Sequence, residues 1–140
     1  MAIARKGIPI LISCCPICGL FEENVEHLFF LCEVAVKMWE LICKWLDIQI
    51  GIIGNPNELF YKMDLMKMPV IKKQVLQVVG CTSLWFLWKY RNDVVHDLKK
   101  IKKSMIIDGI QEFSFRWFST RQKKVKANWG EWIHNPMMYQ

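Results

Sequence analysis

Residues 15–32 read CPICGLFEENVEHLFFLC. Cys15 and Cys18 make a short C-x2-C pair, and His27 and Cys32 complete the pattern C-x2-C-x8-H-x4-C. Three thiolates and one imidazole are a full tetrahedral ligand set for one zinc ion. Pro16 and Gly19 suit the tight turn of a zinc knuckle. Four protein ligands leave no open position for water or substrate. The pattern therefore predicts a structural centre and not a catalytic one.

Two other readings of the cysteines compete. Free cysteine is among the most buried residue types, so the four could simply pack. The six cysteines of the chain could also form three disulfides. A second ligand pair at finger-like distance favours metal over both, and a chain of this size and apolarity needs no disulfide staples. The same pair points to a reducing, intracellular compartment, nuclear or cytoplasmic. Cys14 lies beside Cys15 and competes for its place, but C-x2-C is the usual knuckle spacing, so Cys15 is preferred. His27 and Cys32 are five residues apart, on different faces of an ideal helix. The backbone is therefore expected to break or tighten between them. Much is at stake energetically, since structural zinc contributes about 10–16 kcal/mol in small fingers and a whole domain is stable by about 5–15 kcal/mol.

The rest of the chain predicts a mainly α fold, a small helical domain carrying this CCHC knuckle at its N-terminal end. Of its 140 residues 53% are hydrophobic, with seven Trp and eight Phe, which is enough for a core and unlike a disordered chain. The expected division is residues 1–50, knuckle plus first helix, and residues 51–140, a helical region with a basic segment. Val25–Leu46 has apolar residues at helical spacing: Leu28, Leu31, Ala35, Met38, Trp39, Ile42, Trp45 and Leu46. Gly51 and Gly54 end it. Asn55-Pro56 with Glu58 reads as an N-cap, Pro at the first helical position and an acid in the first turn, opening a short helix to about Met66. Pro69 opens Val70–Asp97, whose expected buried face includes Val75, Val79, Trp85 and Trp88. A last helix is expected over about Lys102–Lys126, with Met105, Ile106, Ile110, Phe113, Trp117 and Phe118 on one side. The tail holds Trp129, Trp132 and Pro136.

Membrane and secretory readings fail. Arg5 and Lys6 precede the apolar run Ile8–Ile12, but prolines and cysteines interrupt it and no small-x-small cleavage site follows. No apolar stretch reaches the roughly 20 residues that span a bilayer. Residues 75–88 come nearest and are broken by Gln77, Thr82 and Ser83.

The positive charge is uneven. Residues 89–126 hold 11 Lys/Arg and 4 Asp/Glu, a local +7 that exceeds the whole-chain +6. Lys99, Lys100, Lys102 and Lys103 form one cluster, and Arg121, Lys123, Lys124 and Lys126 another. Such clusters attract phosphate and release counterions, and they also occur as plain solvated faces or import signals. Trp85 and Trp88, at i and i+3, are expected in the core rather than as base-stacking platforms, because aromatic residues dominate core burial. Packing is favoured for Trp129 and Trp132 too, over stacking on single-stranded bases. Arg91-Asn92 reads either as a brace or as a phosphate contact. Asn92 is unfavourable inside a helix, so a specific hydrogen bond is expected of it. His96 and His134 read as ordinary polar residues, and no third group orients a Cys81–His96 nucleophile.

The residues together resemble one family. Arg5-Lys6-Gly7-Ile8, Cys15-Pro16-x-Cys18-Gly19, Glu26-His27-Leu28-Phe29, Cys32, Ala35 and Trp39 are similar to the reverse-transcriptase zinc-binding domain of plant LINE-type (non-LTR) retrotransposon polyproteins. Downstream, Trp85-x-x-Trp88-Lys89-x-Arg91-Asn92 and Trp129-x-x-Trp132 with Pro136 resemble segments that follow the finger in those elements. His96 stands where the family usually has an aromatic residue, and the elements carry a longer segment before Arg5, as expected of a truncated or remnant copy. No Tyr-x-Asp-Asp motif is present, and the five Asp, at 47, 64, 93, 97 and 108, are scattered rather than clustered as a nuclease needs. The resemblance implies a non-enzymatic accessory module that helps engage template RNA or target DNA, with Cys15, Cys18, His27 and Cys32 holding one structural zinc. The competing expectation is a zinc-stabilised interaction domain that docks on the polymerase part of such a polyprotein. Neither implies a membrane or a small-molecule substrate.

Overall fold

A computed structural model describes residues 14–51, 53–96 and 103–138. Arg5-Lys6-Gly7-Ile8, the leader question, and Lys99, Lys100 and Lys102 lie outside the described residues. Among those described, the fold is helical with no strand. After the knuckle comes a π-helical turn, His27–Leu31, and then five α-helices: α1 Glu33–Leu46, α2 Pro56–Leu65, α3 Val70–Val95, α4 Ile106–Arg121 and α5 Trp129–His134. Short 3-10 turns, Lys103–Met105 and Pro136–Met138, precede α4 and follow α5.

Local chemistry sets the ends of these elements. Asn55 caps α2 by accepting from the Glu58 N–H at 2.9 Å, with Pro56 at the first helical position, as its sequence predicts. Asn128 does the same for α5, accepting from the Glu131 N–H at 3.1 Å. α1 stops at Asp47, which takes a left-handed φ of 54°. The orphaned Leu46 carbonyl there accepts from Asn135 Nδ2 at 3.3 Å.

One apolar core runs from Cys15 to Met137 and draws on every helix. α1 buries Val34, Ala35, Met38, Ile42 and Leu46, and α2 buries Leu59 and Met63. The most extensive pairing is α3 against α4. It is close because Gly109 has no side chain: a Cβ there would stand 2.5 Å from Phe86 Cε1. Trp132 is fully buried and fixes the C-terminal end. Its indole N–H donates to Ser114 Oγ at 3.3 Å, while Trp45 Nε1 donates to the Trp132 and Ile133 carbonyls at 3.1 and 3.0 Å. Among the described residues no helix is long and apolar enough to cross a membrane.

Three sequence expectations need correction. Trp85 and Trp88 are not core residues; they are 46% and 50% exposed. α3 instead buries Val75, Leu76, Val79, Thr82, Ser83, Phe86 and Leu87. Phe113 and Trp117 likewise sit on the open side of α4, whose buried face is Ile106, Ile110, Ser114 and Phe118. Finally, α4 ends at Arg121 and not near Lys126, with Gln122 extended.

Candidate metal centre

The knuckle is a closed turn. Cys14 and Glu22 form a single antiparallel bridge. Inside it the Cys15 N–H donates to the Phe21 carbonyl and the Gly19 N–H to the Cys15 carbonyl, both at 2.7 Å. Gly19 reverses the chain with φ of 69°, a conformation glycine adopts without penalty.

The second ligand pair is set by the π turn. Asn24 opens it, accepting from the His27 N–H on its side chain at 2.7 Å and from the Leu28 N–H on its carbonyl at 2.9 Å. The Cys32 N–H then donates to the His27 carbonyl at 2.7 Å, a five-residue span. In an α-helix, residues five apart point about 140° away from each other. The wider π turn reduces that divergence, and Cys32 then leaves the helix with φ −63° and ψ 143°. The expected break is present, but the backbone loosens before it instead of tightening. Such turns recur at functional sites.

The four donor atoms, Cys15 Sγ, Cys18 Sγ, His27 Nε2 or Nδ1 and Cys32 Sγ, all lie within 4.8 Å of one another. The Cys15 and Cys32 sulfurs are 3.9 Å apart, and Cys18 Sγ is 3.3 Å from His27 Nε2. A tetrahedral zinc with Zn–S of about 2.3 Å and Zn–N of about 2.0–2.1 Å requires S···S edges near ~3.8 Å and S···N edges near ~3.6 Å. The residues present therefore fit a metal ion, and none of the six cysteines is in a disulfide. Cys15, His27 and Cys32 are buried and Cys18 is partly so. Of the adjacent cysteines, Cys15 belongs to the cluster and Cys14 to the bridge.

The field at the site is uneven. Without a metal, burial pushes the Cys32 thiol up to about 12, and the neighbouring Cys15 and Cys18 add to the rise against the Val34 backbone donor. At Cys18 desolvation also opposes ionisation, yet backbone donors at Leu20 and Phe21 and the Cys15 and Cys32 thiols hold its pKa down. Backbone N–H bonds to sulfur are what a thiolate ligand needs. A zinc ion bound here would supply charge neutralisation and a cross-link between the knuckle and the π turn.

Further residues brace the ligands. Trp39 Nε1 donates to the Phe29 carbonyl at 2.6 Å while its ring stacks on Phe30 at 5.5 Å, pinning the π turn to α1. The Phe21 ring lies 5.4 Å from His27. Arg91 on α3 reaches the knuckle, its Nε donating to Glu23 Oε1 at 2.7 Å, and Nη1 donates to Asn92 Oδ1 at 3.0 Å. Arg91 thus braces the knuckle, and Asn92 is bonded as expected. The ligand pattern does not reveal the roles of Asn24 and Glu23, although an Asn three residues before His27 is a cap signal.

The other candidates fall elsewhere. Arg121, Lys123, Lys124 and Lys126 lie at and beyond the end of α4, on the outside of the fold. Lys103 opens the 3-10 turn. Burial raises the Cys81 thiol, the wrong direction for a nucleophile, and His96 stands about 22 Å further along the α3 axis. Compared with known proteins, the chain matches no family model, no curated protein and no solved structure.

Proposed function

We propose that this chain is a zinc-stabilised, non-catalytic nucleic-acid-binding module of the kind that accompanies a retroelement reverse transcriptase. It holds one structural Zn2+ on Cys15, Cys18, His27 and Cys32 and engages RNA or DNA through its basic surface. The observation that carries this reading is the closed Cys3His donor set, in the order and spacing of the family resemblance. Charge supports it: Arg116, Arg121, Lys123, Lys124 and Lys126 fall between Glu112 and Glu131 with no acid among them. Lys99, Lys100, Lys102 and Lys103 form a second basic run, separated from it in sequence by Asp108 and Glu112.

Salt dependence is the test. Affinity for RNA or DNA falls steeply with salt in the intact protein. Changing Arg121, Lys123, Lys124 and Lys126 to Gln flattens the slope by about one unit for each phosphate no longer neutralised. A shallow slope in both proteins, or no binding, refutes the reading.

One observation favours a second reading, an interaction domain that docks on the polymerase part of a polyprotein. An apolar groove of about 580 Å³ lies beside the π turn, lined by Phe30, Leu31, Val36, Trp39, Cys43 and Ile50. Docking there would show a shallow salt slope.

A further inference from the structure

We infer that the open side of the α3–α4 pair is a stacking platform for the bases of a single-stranded nucleic acid. The inference rests on the nucleic-acid reading above and gives it a site. Trp85 on α3 and Phe113 and Trp117 on α4 line a shallow cavity of about 250 Å³ with Thr82 at its floor. Trp85 and Phe113 are each 46% exposed and Trp117 is 36% exposed, so all three have been carried to the surface by a fold that had core space for others. Trp85 and Phe113 are also fixed in place. Trp85 lies 5.1 Å from Phe86 and 6.1 Å from Phe113, and Phe113 lies 5.4 Å from Phe86, which is itself locked against Gly109.

Charge decides what such a surface takes. Each ring has a cation beside it: Lys89 at 5.9 Å from Trp85, Arg116 at 5.8 Å from Phe113 and Arg121 at 5.2 Å from Trp117. Protein-docking cores are depleted of lysine and of acids though not of arginine, whereas rings that adjoin cations and run on into a lysine cluster suit a strand that alternates flat bases with phosphates. Acids pair with two of these three cations, so the positive field at the rings rests chiefly on Arg121 and the lysines that follow it. Asp93 is buried, with Lys89 at 4.0 Å, and Glu112 is paired with Arg116 at 2.8 Å. Arg121, which lies over the Trp117 ring, leads into Lys123, Lys124 and Lys126. The Thr82 hydroxyl donates to the Val78 carbonyl at 2.7 Å and so offers a base edge no proton, while stacking accepts any base. Binding is therefore tolerant of sequence.

The test uses the full zinc-loaded chain and four probes: a short oligothymidylate, the matching oligouridylate, an abasic phosphodiester of equal length, and a duplex. The two base-bearing strands bind about tenfold or more tighter than the abasic strand, and Trp85→Ala and Trp117→Ala each remove about tenfold of that without changing abasic binding. Trp85→Phe and Trp117→Phe keep most of the affinity, which separates stacking from misfolding, and zinc stoichiometry checks the fold. The ratio of uridylate to thymidylate affinity reports whether the strand is RNA or DNA. Abasic and base-bearing strands that bind equally, or Ala variants that bind all probes like the parent, overturn the platform and leave the charge-based reading standing. Failure of every probe to bind overturns both.

Discussion

Cys32 and Cys18 divide the work of holding a metal. Cys18 is already pushed toward the thiolate by the Leu20 and Phe21 backbone donors, whereas burial keeps Cys32 protonated far above neutrality. A metal that binds at neutral pH must expel the Cys32 proton, so affinity rises with pH and falls in acid. Native mass spectrometry at neutral pH is expected to show one zinc per chain, lost in a Cys15→Ser, Cys18→Ser double variant and lost progressively on acidification. Metal that persists in the double variant refutes the ligand assignment. These four clustered donors are legible in the sequence because the chemistry of zinc limits both donor type and spacing. Asn24, Glu23 and Arg91 are harder to see. The Glu23–Arg91 brace joins residues 68 positions apart, which no local pattern carries.

At the scale of elements, two glycines in similar helical surroundings have opposite expected consequences. A methyl group at Gly109 meets the rigid Phe86 ring at 2.5 and 2.7 Å. Overpacking of that kind costs about 1–3 kcal/mol, more than the ~1 kcal/mol that alanine offers a helix. At Gly80 the nearest atom is Met63 Cε at 2.7 Å, the free end of a flexible thioether. Urea denaturation should therefore find Gly109→Ala destabilised and Gly80→Ala equal to the parent or up to ~1 kcal/mol more stable. The reverse order would mean that α3 packs more tightly on α2 than on α4. The Phe86–Gly109 approach also explains why periodicity alone misplaces the buried face of α3. Val75 and Val79 compete with Val78, Trp85 and Trp88 for the core, because apolar residues surround the helix. Phe86 and not Trp85 points inward because a glycine awaits it on α4, a fact of pairing rather than of periodicity. Where helix ends depend on nearby residues, as at Asn55-Pro56, the sequence is sufficient.

For the molecule as a whole, the knuckle and the helical bundle share a core but are held by different means. The C-terminal part rests on Trp132, which is fully buried among Phe115, Phe118 and Trp45. The knuckle has a short bridge, the Glu23–Arg91 ion pair and its metal-ligating residues. Chelation followed by hydrogen exchange is expected to unprotect residues 14–32 first, while the amides of α3 and α4 retain protection. Simultaneous loss across the chain would show that zinc supports the entire core. Cys32 adds a mechanical point. It is the last metal donor and also the residue from which α1 springs, and α1 extends about 21 Å beyond it. An ion held there would be coupled in series with the helix, like a pivot to a rod. The far end of that rod is tied as well, through Trp45 and Asn135, so a load on α1 would be shared between a sulfur–metal bond at one end and these hydrogen bonds at the other.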